Sequence, residues 1–170
     1  MKKAASHSHS FSWHDPLGTA AAGLGLSGLD YLQKMARGEL PPPPMAVLMN
    51  VTAMEVDEGS VVLVAQPLEC HYNSIGLVHG GFAATLLDSV MSGAIHSRLP
   101  QGLVYTTLEL HTNNVRAMTV ETGPVRAEGK VLHLGARLAT AEGRIVDAQG
   151  RLYAHGTTTC MVFPGGQSHG

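Results

Sequence analysis

Apolar positions follow three different rhythms along the chain. Leu29, Leu32 and Met35 recur at helical spacing, and Gly38 followed by Pro41 to Pro44 stops that helix, with the four prolines forming a stiff extended spacer. From Met45 to Val56, and again from Ser60 to Leu68, the residues are β-branched and apolar around Asp57-Glu58-Gly59, the pattern of a hairpin. Between Phe82 and Ile95 the alternation disappears. Ala, Leu, Val and Met occupy nearly every side, which predicts a buried helix from about Gly81 to Arg98. Four more strands are expected near Leu103 to Asn113, Val120 to Leu134, Ala136 to Asp147 and Arg151 to Phe163, with turns at Gly135 and Gln149-Gly150. Many strands with one long buried helix imply an α+β chain, an antiparallel sheet wrapped around that helix, rather than alternating βαβ units.

The chemistry concentrates where the buried helix begins. Asp88 stands two turns into it, and a carboxylate in apolar surroundings is costly unless it is paired or put to work. Gly80 and Gly81 expose N–H groups at the helix start, where the partial positive charge suits an oxyanion. Taken singly, His-Gly-Gly is a common turn, Asn73 is a turn residue, and a buried Asp is more often bonded to a hydroxyl such as Thr85 or Ser92. The joint spacing changes the picture: Asn73, five residues, His79-Gly80-Gly81, then Asp88 seven later. One segment then offers an oxyanion site and an acid, the two parts of an acyl-transfer site. His79 is expected to cap or brace the helix entrance rather than donate to a carbonyl.

The same spacing carries a geometric consequence. At 1.5 Å per residue, the eight residues from Gly80 to Asp88 separate the two groups by roughly 12 Å, whereas reacting partners must lie within about 3 Å per link. If both act on one substrate, Asp88 comes from a neighbouring protomer, most simply in a two-fold dimer. On the following strand, the period of two puts Thr107 on one face with Glu109, His111 and Asn113, a polar row bordering the site; Glu109 and His111 are expected to be a solvated pair. Arg116, Arg126 and Arg137 could meet phosphates, although scattered arginines are usually surface.

Composition narrows the function classes. A chain of 170 residues is by default one domain, and its 14% of charged residues falls well below the roughly 25% of an average protein, which suggests surface hidden in an oligomer. A net charge of −2 and no basic stripe argue against nucleic acid or anionic membrane as partners. Cys70 and Cys160 lack metal-ligand spacing and suit reduced core thiols in the cytosol, so a cytoplasmic location without a metal is expected. Lys2 and Lys3 precede an apolar run from Thr19 to Leu29, but His14 and Asp15 interrupt the approach, which argues against a signal peptide. No stretch reaches membrane-spanning length. His7 and His9 fall in a polar, Ser-rich leader expected to be disordered. The expected organisation is a disordered leader over residues 1 to 16, an N-terminal helix and Pro-rich spacer over 17 to 44, a catalytic domain over 45 to 164, and a disordered tail over 165 to 170.

The leader SGLDYLQKMARGELPPPP, the core HYNSIGLVHGGFAATLLDSVMSGAIHSRLP, the strand YTTLELHTNNVR and the closing ATAEGRIVDAQGRLYAHGTTTCMVF together resemble the hotdog-fold acyl-CoA thioesterases, in the branch named for phenylacetic acid degradation. The likeness runs from about Ser27 to about Phe163. It implies a hotdog fold, hydrolysis of an acyl-CoA to a free acid and coenzyme A, and a homo-oligomer with two equivalent sites per dimer, either a dimer or a tetramer made of two dimers. No cofactor is implied, coenzyme A being part of the substrate. By position it implies Asn73 and Gly80 as holders of the thioester carbonyl, Asp88 as general base or nucleophile, and Thr107 as the hydroxyl orienting water. Gly81, Ser89 and Arg116 are further expected to contact substrate. One departure is that Arg116 is followed by Ala117 where family members often have Pro. A hotdog hydratase or dehydratase, and a non-catalytic acyl-CoA sensor, are the alternatives. The acyl group stays open.

Overall fold

A computed structural model describes residues 5 to 165; the ends of the expected leader and tail, residues 1 to 4 and 166 to 170, lie outside the described part. Four helices, α1 (Pro16–Gly23), α2 (Gly28–Ala36), α3 (Pro44–Leu48) and α4 (Gly80–His96), accompany six strands. The strands are β1 (Val51–Asp57), β2 (Ser60–Ala65), β3 (Leu103–Asn114), β4 (Val125–Leu134), β5 (Leu138–Asp147) and β6 (Leu152–Pro164). They form one antiparallel sheet in the order β1-β2-β4-β5-β6-β3, with α4 packed against it. The core lies between them, built from Leu86, Leu87, Val90, Met91 and Ile95 of the helix and Val61, Val125, Ile145 and Cys160 of the strands. No helix of the described residues is long and apolar enough to cross a membrane.

Two glycines of a cross-strand row, Gly129 and Gly143, bring helix and sheet together. Gly129 of β4 pairs with Gly143 of β5, and Gly143 with Gly156 of β6. A Cβ at Gly129 would collide with the Val90 carbonyl of α4, and one at Gly143 would lie 2.9 Å from Met91 Cγ. The helix therefore rests on sheet backbone at that point, closer than side chains would permit.

Several expected boundaries move, each for a local reason. The first hairpin strand begins at Val51, not Met45, because Met45 to Leu48 are helical: Pro44 opens α3 at a position whose N–H needs no partner and whose φ is already helical. The proline run is accordingly a spacer only as far as Pro43, which caps α3. Upstream, α1 was not anticipated as a separate helix; Asp15 caps it by accepting from Leu17 N at 3.0 Å, with Pro16 in the first turn. The strand expected from Val120 starts at Val125, since Val120–Thr122 is a single 3₁₀ turn ended by Gly123 at φ 75°. Cys70, expected in the core, is exposed; Cys160 is buried.

Two differences bear on chemistry. The helix expected to be buried all round is enclosed from Val90 to Ile95, but Gly81, Ala84, Thr85, Asp88 and Ser89 form a face of its first half that the chain does not bury. In β3 the pairing with β6 shifts between Thr107 and Glu109, a bulge at Leu108. Alternation breaks there, so Tyr105 and Thr107 face inward before it and Leu110 after it, while Glu109, His111 and Asn113 are turned to solvent.

Candidate active site

The loop before α4 is fastened at both ends by histidines. His71 is buried, stacks on Phe82 with ring centroids 4.8 Å apart, accepts from Leu68 N through Nδ1 and donates from Nε2 to the Leu48 carbonyl at 2.9 Å. His79 caps the helix, its Nδ1 accepting from Gly81 N at 2.8 Å, the bracing position expected for it. The Gly81 N–H is thereby engaged, which corrects the expectation of two open glycine donors. Gly80 N–H has no hydrogen-bond partner among the described residues.

Asn73 is held in one orientation. Its Oδ1 accepts from Ile75 N at 3.0 Å and from Leu77 N at 3.1 Å, leaving the Nδ2 amide as the side chain's free donor group. Asn73 and Gly80 line a cavity of about 400 Å³ together with Asn114 and Arg116. The Asn114 amide lies over Gly80, with Nδ2 3.1 Å from where a Cβ would stand. Sequence reasoning missed Asn114; the Asn113-Asn114 pair at the strand end was visible, but its facing depends on the bulge. Arg116 borders the cavity with Nε donating to the Leu152 carbonyl at 3.3 Å and its guanidinium 5.7 Å from the Tyr153 ring centroid.

Asp88 lies elsewhere. It accepts from the Thr107 hydroxyl at 2.9 Å, not from Thr85 or Ser92, and it opens into a second cavity of about 1390 Å³ bordered by Gly81, Ser89, Ser92 and His96. Ser89 turns its hydroxyl back to the Thr85 carbonyl at 2.8 Å. Thr107 also lies 3.9 Å from Cys160 Sγ, whose thiol is pushed up by burial and is thus kept from acting as a thiolate. At the far end, burial holds His96 down to about 4 and raises Tyr105, so both rings are neutral at physiological pH.

The other candidates separate cleanly. Glu109 and His111 pair at 2.6 Å on the exposed side of β3, a solvated pair as expected, and with Asn113 they stand apart from Thr107 rather than in a row with it. Arg126 is committed to Glu55 at 2.8 and 3.0 Å and to Glu128 at 3.0 Å on the outer sheet face. Arg137 is exposed near the β4–β5 turn.

The helix-on-sheet architecture and the loop-capped helix have clear counterparts. Residues 75–154 match the family described as the thioesterase superfamily. That match covers a little under half of the chain, and the chain as a whole has the hotdog fold of such proteins. Among particular proteins, it is 33% identical over 88 residues to the 1,4-dihydroxy-2-naphthoyl-CoA hydrolase of Escherichia coli (strain K12), an alignment covering 52% of this chain and 63% of that protein. The match thus spans under two thirds of the relative's length. A putative thioesterase from Ralstonia eutropha, described as phenylacetic acid degradation-related, superimposes with a TM-score of 0.69 at 26% identity, covering 77% of this chain and 98% of the other. The Escherichia coli PaaI protein from the phenylacetic acid degradation operon gives a TM-score of 0.69 at 21% identity over 82% of this chain and 97% of its own, a likeness of fold.

Proposed function

We propose that this protein hydrolyses an acyl-CoA thioester to a free carboxylic acid and coenzyme A, in sites that each take Asn73 and Gly80 from one protomer and Asp88 from its partner. The match of residues 75–154 to the thioesterase superfamily and the likeness to a CoA-thioester hydrolase support the reaction class. The observation that carries the shared site is that the donors and the acid open into different cavities of one chain, roughly 12 Å apart along α4. Asp88 sits on the helix face the chain leaves uncovered, and β3, a twelve-residue edge strand with Leu108 55% exposed and Val115 equally exposed just past its end, offers an edge for a second copy.

In this reading the thioester carbonyl accepts from Gly80 N–H and the Asn73 amide, donors fixed before substrate arrives, which stabilise the charge that grows on oxygen during attack. Asp88 takes the proton of the attacking water, or attacks the carbonyl itself to give an acyl-enzyme anhydride that water then hydrolyses to the free acid. Thr107 binds one carboxylate oxygen and aims the other. The tetrahedral intermediate then expels the coenzyme A thiolate. Arg116, held over Tyr153 beside the oxyanion donors, meets a phosphate of coenzyme A. The reaction needs no further cofactor.

Asp88→Asn lowers kcat by about a hundredfold or more, the scale of general-base loss. Mixed with an Asn73→Ala protein under conditions of protomer exchange, it regains activity. Half the dimers are mixed and each has one intact site of two, so about a quarter of wild-type turnover returns. Exchange demonstrated by native mass spectrometry without any recovery would place both groups in one chain and reject the shared site.

A further inference from the structure

Resting on the thioesterase reading above, we infer that the larger cavity is an acyl chamber roofed by α1 to α3 and shaped for a flexible aliphatic chain of about ten carbons or more. The chamber is continuous with Asp88 at its rim and runs along α4 past Ser92 to His96. That run of eight residues is about 12 Å, the reach of roughly ten bonds of an extended chain at about 1.2 Å each. Beyond it the space continues under Tyr31 and α1, to a total of about 1390 Å³. Because part of the chamber borders the uncovered α4 face that a partner would share, its length along α4 rather than its volume sets the size of guest it takes.

The character of the walls points the same way. Met35, Met45, Met49 and Met54 all line the chamber, and unbranched thioether chains adapt to a mobile apolar guest rather than fix a rigid one. The polar rings at its far end carry no charge near neutral pH. His96 lies between Tyr31 and Tyr105, with centroids 5.5 and 5.3 Å away, and all three are neutral there. The outer parts of the roof are lightly seated: neither α1 nor α3 contains a buried residue, whereas α2 is anchored by Gly28 and Leu32, so α1 and α3 can yield to a long chain.

The experiment reads thiol release from saturated acyl-CoAs from butanoyl to hexadecanoyl, with phenylacetyl-CoA and benzoyl-CoA alongside. In the wild-type protein kcat/KM is expected to rise about two- to fourfold for each added methylene up to at least decanoyl, and to exceed both aryl substrates. Ala20→Trp, on the roof helix with no buried residue, and Met54→Trp, on the β1 wall, should each lower the dodecanoyl-to-butanoyl ratio at least about tenfold. The roof variant keeps the test informative if the wall variant does not fold. Hydrolysis that peaks at an aryl or a short acyl group, or a ratio left unchanged by both tryptophans, overturns the chamber while leaving the thioesterase reading intact. Failure to release thiol from every substrate overturns the thioesterase reading and the chamber with it.

Discussion

Asn73 shows how one side chain can be both a structural part and a reactive one. Its carbonyl oxygen ties Ile75 and Leu77 into the loop, and its amide is left to donate. Truncation to alanine would disturb both parts at once, so an aspartate is the cleaner probe. Asn73→Asp keeps an oxygen for the two N–H groups and puts a carboxylate oxygen where the donor was. The expected outcome is an unchanged melting temperature with kcat and kcat/KM lowered together by about a hundred- to a thousandfold, the worth of one oxyanion donor. A change confined to KM would make Asn73 a ground-state contact instead.

At the scale of elements, the glycine row and the β5–β6 turn make separate predictions. Gly129→Ala drives a methyl group into the Val90 carbonyl of α4, backbone that cannot turn aside, and should cost about 2–3 kcal/mol in urea unfolding. Gly150→Ala, at φ 75° with nothing within 4 Å, meets only backbone strain and should cost about 1–2 kcal/mol. In the same turn, desolvation pushes the Asp147 carboxyl up, but hydrogen bonds from the Arg151 backbone and side chain and the Gln149 backbone outweigh it, leaving the group below its usual range. A lowered folded value stabilises the protein above the ordinary aspartate range and is lost as pH falls through the folded value. Asp147→Asn should therefore flatten the acid side of a melting-temperature profile, and an unchanged profile would remove the turn from that role.

Elements with local signals were legible in the sequence. The Asp57-Glu58-Gly59 hairpin, the apolar helix and the turns at Gly135 and Gln149-Gly150 all carry their cause within a few residues, and they stand where expected. The joint spacing of Asn73, His79 and Asp88 was legible for the same reason, as was the capping by His79. What was hidden depends on partners distant in the chain. The bulge at Leu108 is defined by pairing with β6, so no alternation count along β3 could reveal that Glu109 leaves the face of Thr107. Asn114 reaches Gly80 because of that same shift. The α1 cap was present as Asp15-Pro16, but a stretch of alanine and glycine gave it no apolar periodicity to confirm it.

At the scale of the whole molecule, β3 is a long edge on which Leu108 stands out. A charged residue there opposes strand addition. Leu108→Lys should leave the protomer folded, shift light-scattering mass toward the monomer, and lower specific activity at dilute protein while restoring it as concentration rises. Full activity from a monomeric variant would sever catalysis from assembly. The glycine row sets a different property of the molecule as a whole. Because α4 bears on the sheet through main chain at Gly129, its height there works like a machined stop, not a cushion. Rotamer changes and drift among the leucines and valines around it can loosen or tighten the core without raising or lowering the helix. The distance from Asp88 to the strand that holds it is thus insulated from most rearrangement of the core side chains, and the reach between acid and hydroxyl is set by main chain.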